Sequence, residues 1–191
     1  VPGVTDTGRL LTAVGRFLRA FTSGSARTAA SRTAAPSTRD AAPAPFSHDE
    51  VSPGQSGPDA TVEIDPGRLR DVRLGYAPSH DGEPDPGEVV WTWVPYEERD
   101  GRGKDRPVVI VAASGTGDFL AVQLTSKAHD GDRDYVALGE GAWDAEGRPS
   151  WAKTDRVFRV RTGGMRREAA SLDAERYGLV ADALGRRYGW R

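Results

Sequence analysis

No cysteine occurs among the 191 residues, which excludes disulfides and thiolate metal sites and makes a reducing compartment, the cytoplasm, the expected setting. Long apolar runs are missing too. The one N-terminal stretch, Leu10 to Phe21, is interrupted by Arg16 and Arg19 and is too short and too charged to span a bilayer, so no membrane span is expected. Nor is there an excess of positive charge: 26 Lys and Arg against 28 Asp and Glu leave a formal −2. A strong field that binds nucleic acid through counterion release is therefore excluded, and any nucleic-acid contact must be local. Familiar catalytic signatures are also lacking. His48, His80 and His129 stand isolated, no His-Glu-x-x-His occurs, and no glycine-rich loop leads from a strand into a helix. Metal and nucleoside-triphosphate chemistry have no support, and no cofactor is expected.

What the chain does contain is unevenly distributed. Its five Trp and five Tyr all follow residue 75, so the core must be built there. Residues 1–21 predict a short amphipathic helix, with Leu10, Leu11, Val14, Phe17, Leu18 and Phe21 on one stripe opposite Arg9, Arg16 and Arg19. Such a helix either docks on a partner or membrane surface, or packs on the domain and frays alone. Residues 22–60 are rich in Ser, Thr, Ala, Pro and Gly and cannot bury enough apolar surface to offset ordering entropy, which predicts a disordered linker. Residues 61–85 carry two short strand patterns, Thr61 to Ile64 and Val72 to Tyr76, and then a boundary loop rich in Pro, Asp and Gly. The remaining segment, 86–191, holds 17 Lys and Arg and 17 Asp and Glu. It is neutral as a whole but free to cluster basic groups on one face.

Within 86–191 the pattern is mostly β. Glu88 to Val94 has the aromatic and β-branched content of a half-buried strand. Pro107 to Ala112 is a continuous apolar run of strand length, the signature of a central strand buried on both faces. Phe119 to Leu124 follows closely enough to form a hairpin with it. Tyr135 to Leu138 and Arg156 to Val160 predict two more strands, and the glycine-rich loop between them holds Trp143, read as an anchor. Ser171 is placed to cap a C-terminal helix on which Leu172, Tyr177, Val180, Leu184 and Tyr188 recur at helical spacing. Arg186 and Arg187 suit the end of that helix and need no functional explanation.

This arrangement sets Arg106, just before the central strand, near Thr125, at the end of the neighbouring one. Three segments, "PGEVVWTWV" at 86–94, "GKDRPVVIVA" at 103–112 and "LAVQLTSK" at 120–127, resemble the MazF/PemK toxins of toxin–antitoxin systems in order and spacing. The similarity runs on through "WAKTDRVFRV" at 151–160 to the helix. The resemblance implies a small SH3-like barrel of antiparallel strands with a C-terminal helix, working as a homodimer. It also implies metal-independent, sequence-specific cutting of single-stranded RNA, and a cognate antitoxin as partner. The roles it carries over are Arg106 on the scissile phosphate and Thr125, with Ser126 as the alternative, donating to a non-bridging oxygen.

Other candidates rest on the residues themselves. His129 has a suitable ordinary pKa for a general base, but an isolated loop His is usually just solvated. Arg102 and Lys104 contact RNA backbone or form a solvated turn, and Lys127 is the third substrate-binding candidate. Lys153 could reach a phosphate, though no pattern supports it, and Asp155 with Arg156 reads as a structural ion pair. Trp91 and Trp93 read as core or dimer interface in preference to base-stacking platforms. Three departures from the family stand out: the long N-terminal arm, the acidic Glu97 and Glu98, and the extended loop around Trp143. A barrel that has lost cutting and binds DNA, gyrase or another protein would share the same core segments.

Overall fold

The computed structural model describes residues 51–191, apart from His80 and Thr116, within a unit that runs from Pro45 to Arg191. The expected helix at 1–21 and the linker up to residue 50 lie outside the described residues. Among the described residues eight strands and one α-helix follow in chain order: β1 (Val62–Ile64), β2 (Glu88–Pro95), β3 (Gly103–Gly115), β4 (Asp118–Thr125), β5 (Tyr135–Gly139), β6 (Ser150–Lys153), β7 (Val157–Arg161), β8 (Arg166–Ser171) and α1 (Ala174–Tyr188). The main path of the sheet is β1-β7-β4-β3-β2-β8, with β6 joining β4 and β5 joining β6. Every pairing is antiparallel, as the mostly β reading requires.

The core follows from the two-residue period of a strand, which sends successive side chains to opposite faces. In β3, Val109 and Val111 enter one buried cluster while Val108 and Ile110 enter another. The first cluster is sealed by α1, whose Tyr177, Val180 and Leu184 pack onto it. The second draws Val90 and Val94 from β2, Phe119 and Ala121 from β4, and Phe158 and Val160 from β7, with Met165 packed against it. Since the sheet supplies all of its buried members, the sheet itself curls around them, as a small barrel does. Each fully buried Val, Leu, Ile or Phe contributes about 1.5–3 kcal/mol through burial, so the two clusters dominate the stability.

Helix α1 is set by its ends as well as its stripe. Asp173, not Ser171, is the cap: its carboxylate accepts from the Arg176 amide at 2.8 Å. Ser171 instead closes β8, a strand whose run of Arg and Glu hides it from a search for apolar alternation. Gly189 ends the helix in the left-handed region at φ 74°, where a side chain is strained. The Tyr177 hydroxyl donates to the Val111 carbonyl at 2.7 Å and ties the helix to the central strand.

Two further expectations need correction upstream of the barrel. The linker was expected to continue to residue 60, yet the chain from Pro53 onward packs on the sheet. The Trp93 amide donates to Pro53 O at 2.9 Å, the Thr61 amide donates to Gly54 O at 2.8 Å, and Gly54 is buried. Thr92, Thr61 and Gly164 close around Gly54, filling one end of the curled sheet where no side chain would fit. The second short strand, Val72 to Tyr76, does not form. Val72 and Leu74 instead exchange hydrogen bonds with the C-terminal Arg191, and Tyr76 donates to Leu172 O at 2.9 Å. No helix among the described residues is long and apolar enough to cross a membrane.

Candidate active site

Register brings the two principal candidates together. Strand β3 pairs with β2 on one side, Arg106 opposite Thr92, and with β4 on the other, Val108 opposite Gln123. The β3–β4 ladder ends at that pair, and Arg106 and Thr125 each lie two residues beyond it, on the face of Val108 and Gln123 by strand alternation. Both side chains line one groove, together with Lys104 and Ser126.

The state of the two groups suits anion binding. Arg106 is partly buried and, among the described residues, has neither a hydrogen-bond partner nor a counter-ion. A permanently charged guanidinium held half out of water without a carboxylate is poised to take an anion. The Thr125 Oγ1 accepts from the Lys127 amide at 3.2 Å, which occupies a lone pair and leaves the hydroxyl hydrogen to be donated elsewhere.

Arg106 also borders a second groove, formed where the inner face of the barrel turns polar. There Gln123 and Arg156 extend the rows of Val108 and Phe158, and the segment from Pro95 to Glu98 lies over them. Ion pairs fix this segment. Glu97 binds Lys153, whose side chain is only 10% exposed, with Asp155 a further 3.7 Å away. Glu63 binds Arg156, and Arg99 at 3.1 Å, while Arg156 donates to Pro95 O at 2.9 Å. Burial raises the Glu63 carboxyl, but hydrogen bonds and charge from Arg156 and then Arg99 outweigh it and hold it below its ordinary value. The hydrogen bond from Lys153 lowers Glu97 in the same way. Burial alone would lower the Lys153 ammonium, yet Glu97 and Asp155 keep it above its ordinary value.

Other predicted residues separate from the pair. Arg102 is exposed and bound to Asp100 at 2.7 Å in the β2–β3 turn, and Lys127 is exposed beyond β4. His129 stacks on Tyr135 with ring centroids 3.6 Å apart and faces Asp132 at 3.8 Å, so its ring is held by its own loop. Asp155 and Arg156 are not partners of each other: Arg156 pairs with Glu63. Trp143 is the anchor expected, 3% exposed with its indole N–H donating to Ser150 Oγ at 3.1 Å. Trp91 and Trp93 are only partly buried, and Trp91 lines the first groove. The Trp91 indole nitrogen and the Asp105 Oδ1 are buried there without hydrogen-bond partners, while the other Asp105 oxygen accepts from Arg166 at 3.0 Å. Gln123 and Arg156 were not singled out as site residues. Gln123 had a legible signal, a polar residue in an otherwise apolar strand, two positions before Thr125 and on its face.

Among the described residues no three His, Asp or Glu side chains are grouped to hold a metal ion. The family model for "PemK-like, MazF-like toxin of type II toxin-antitoxin system" matches residues 85–187. Among solved structures, MazE-MazF (Form-II) from Deinococcus radiodurans is similar at 23% identity and TM-score 0.43, over 56% of this chain and 97% of that one. The Mycobacterium tuberculosis toxin MazF-mt6 is similar at 16% identity and TM-score 0.42, over 55% of this chain and 98% of that one. No curated protein matches the chain.

Proposed function

The chain belongs to the family of PemK-like, MazF-like toxins of type II toxin–antitoxin systems, and on that premise we propose that it is an endoribonuclease that cuts single-stranded RNA at specific sequences without a metal. The observation that carries this reading is the unpaired Arg106 guanidinium sharing a groove with the Thr125 hydroxyl. In the reaction the 2′-oxygen attacks the adjacent phosphorus and loses its proton, the bond from phosphorus to the 5′-oxygen breaks, and that oxygen takes up a proton. The products are a 2′,3′-cyclic phosphate and a 5′-hydroxyl end. Negative charge builds on the phosphoryl oxygens as the new bond forms, so preorganised donors aimed there lower the barrier. Arg106 holds the phosphate through its planar fork, and Thr125 donates to a non-bridging oxygen. Lys104 and Ser126, on the rim of the same groove, lie along the path of the strand. Activity on RNA sets the protein to work in the cytoplasm, as a homodimer restrained by a cognate antitoxin.

The test incubates the purified full chain with total RNA in chelator and maps 5′-hydroxyl ends. Removing one charge-stabilising donor costs about a hundredfold to a thousandfold in rate. Arg106→Ala is expected to lose at least the lower figure and Thr125→Val to lose activity as well. Equal cutting by wild type and Arg106→Ala refutes the assignment. A second reading, a non-cutting barrel that binds DNA, gyrase or another protein, draws on the acidic Glu97 and Glu98 beside Arg106. It predicts that Arg106→Ala arrests growth as well as wild type does.

A further inference from the structure

We infer that the groove between Trp91 and the loop from Trp143 to Ser150 is a nucleobase pocket, which seats one unpaired base of the RNA strand next to the phosphate held by Arg106. The inference rests on the reading above and names the part of that site that chooses the sequence. Its first support is continuity, because one groove runs from Arg106 and Thr125 to Trp91, Pro107, Asp144 and Arg148. A phosphate on Arg106 therefore puts its own nucleotide's base within reach of that end. The second is size. The whole groove, its Arg106 end included, measures about 270 Å³, just under the roughly 300 Å³ at which ligand sites begin, so it admits a phosphate with a single base rather than a length of strand.

The third support is chemistry. Single-stranded RNA is read by stacking bases on flat side chains and bonding their edges, and here the flat surfaces of Trp91 and Pro107 meet a polar rim. That rim is built rather than loose. Trp143 roots the loop in the core, with the Arg176 guanidinium 5.8 Å from its ring centroid. Asp144, 11% exposed, accepts from Arg148 Nε at 3.0 Å, and Glu146 binds Arg148 Nη1 at 2.7 Å. The carboxylates fix the plane of the Arg148 fork while its remaining N–H groups stay available to the acceptors on a base edge. The groove wall also contains a donor and an acceptor without partners, on Trp91 and Asp105. The extended loop around Trp143 is thus the element that selects the base.

Two measurements on the full chain separate this pocket from the cutting activity. In the first, ends produced from total RNA are compared for wild type, Arg148→Ala and Trp91→Leu. Base preference is a ratio of cut frequencies within one digest, so overall activity drops out. Both variants are expected to lose about tenfold of the preference at one position flanking the cut, and unchanged ratios overturn the pocket. In the second, a random single-stranded RNA pool carrying 4-thiouridine or 6-thioguanosine is photocrosslinked, and the modified residues are mapped by mass spectrometry. Crosslinks at Trp91 or within 143–150 support the pocket even if no cutting is seen, in which case only the endoribonuclease reading falls. Crosslinks confined to other residues, or none at all, overturn the pocket whether or not the protein cuts.

Discussion

Substituting Gly54 tests whether the segment upstream of β1 is part of the barrel. Gly54 has φ 79°, and a Cβ built on it would overlap Thr92 Oγ1 and come within 2.5 Å of Thr61 Oγ1 and 2.6 Å of Gly164 O. These three atoms form a buried chain: the Thr92 hydroxyl donates to Gly164 O at 2.6 Å and shares a second hydrogen bond of 2.6 Å with Thr61. Gly57 has the same φ of 79° but nothing within 4 Å of its added Cβ, which makes it the control. Gly57→Ala should cost only the left-handed strain, about 1–2 kcal/mol. Gly54→Ala should cost that strain and also break both buried hydrogen bonds, at about 1 kcal/mol each before any loss from overlap. The strain cancels between the two variants, so their difference is about 2 kcal/mol or more. Urea unfolding of the full chain followed by tryptophan fluorescence measures it, provided the slope with denaturant is unchanged. A difference below about 0.5 kcal/mol would falsify the docking of Pro53 to Thr61 on the end of β2.

Further outcomes follow from the same contacts. Tyr177→Phe keeps the ring but leaves the buried Val111 carbonyl without its 2.7 Å donor, and should lower the unfolding free energy by about 1–2 kcal/mol; an unchanged midpoint would show that this bond contributes nothing. Gly189→Ala should cost about 1 kcal/mol through its left-handed φ of 74°, read as a shift in the urea midpoint. Acid should loosen the segment over the second groove. Glu63 and Glu97 are held below the ordinary 4.5, so their stabilisation is complete above that value and is lost as pH falls through their lower folded values. Lys153, held above 10.5, contributes below that value and is lost only as pH rises past its folded value. The loss of melting temperature below pH 4.5 should therefore be smaller in Glu63→Gln than in wild type, and superimposable curves would rule out this pair as a source of acid sensitivity.

The strands and the helix that carry their own signals were legible without coordinates. Pro107 to Ala112 had to be a buried central strand because an apolar run of that length satisfies both faces of a sheet, and the closeness of Phe119 to its end dictated its hairpin with β4. That hairpin carries Arg106 and Thr125 to the same end of the sheet, which is why the candidate pair could be named from local order. Tyr177, Val180 and Leu184 announced the helix through their spacing. Strand β8 was hidden because an edge strand can be held by the backbone of β2 and needs no apolar alternation of its own. Likewise the chain from Pro53 to Thr61 reads as linker by composition, and only the open end of the curled sheet gives its Gly and Thr a buried place. The pairings of Glu97 with Lys153 and of Glu63 with Arg156 join residues 56 and 93 positions apart. The groove at Trp91 likewise draws on four separate segments. Charge and ring type are written in the sequence, but which of them meet is decided by how the sheet curls, since side chains so far apart along the chain have no local rule to bring them together.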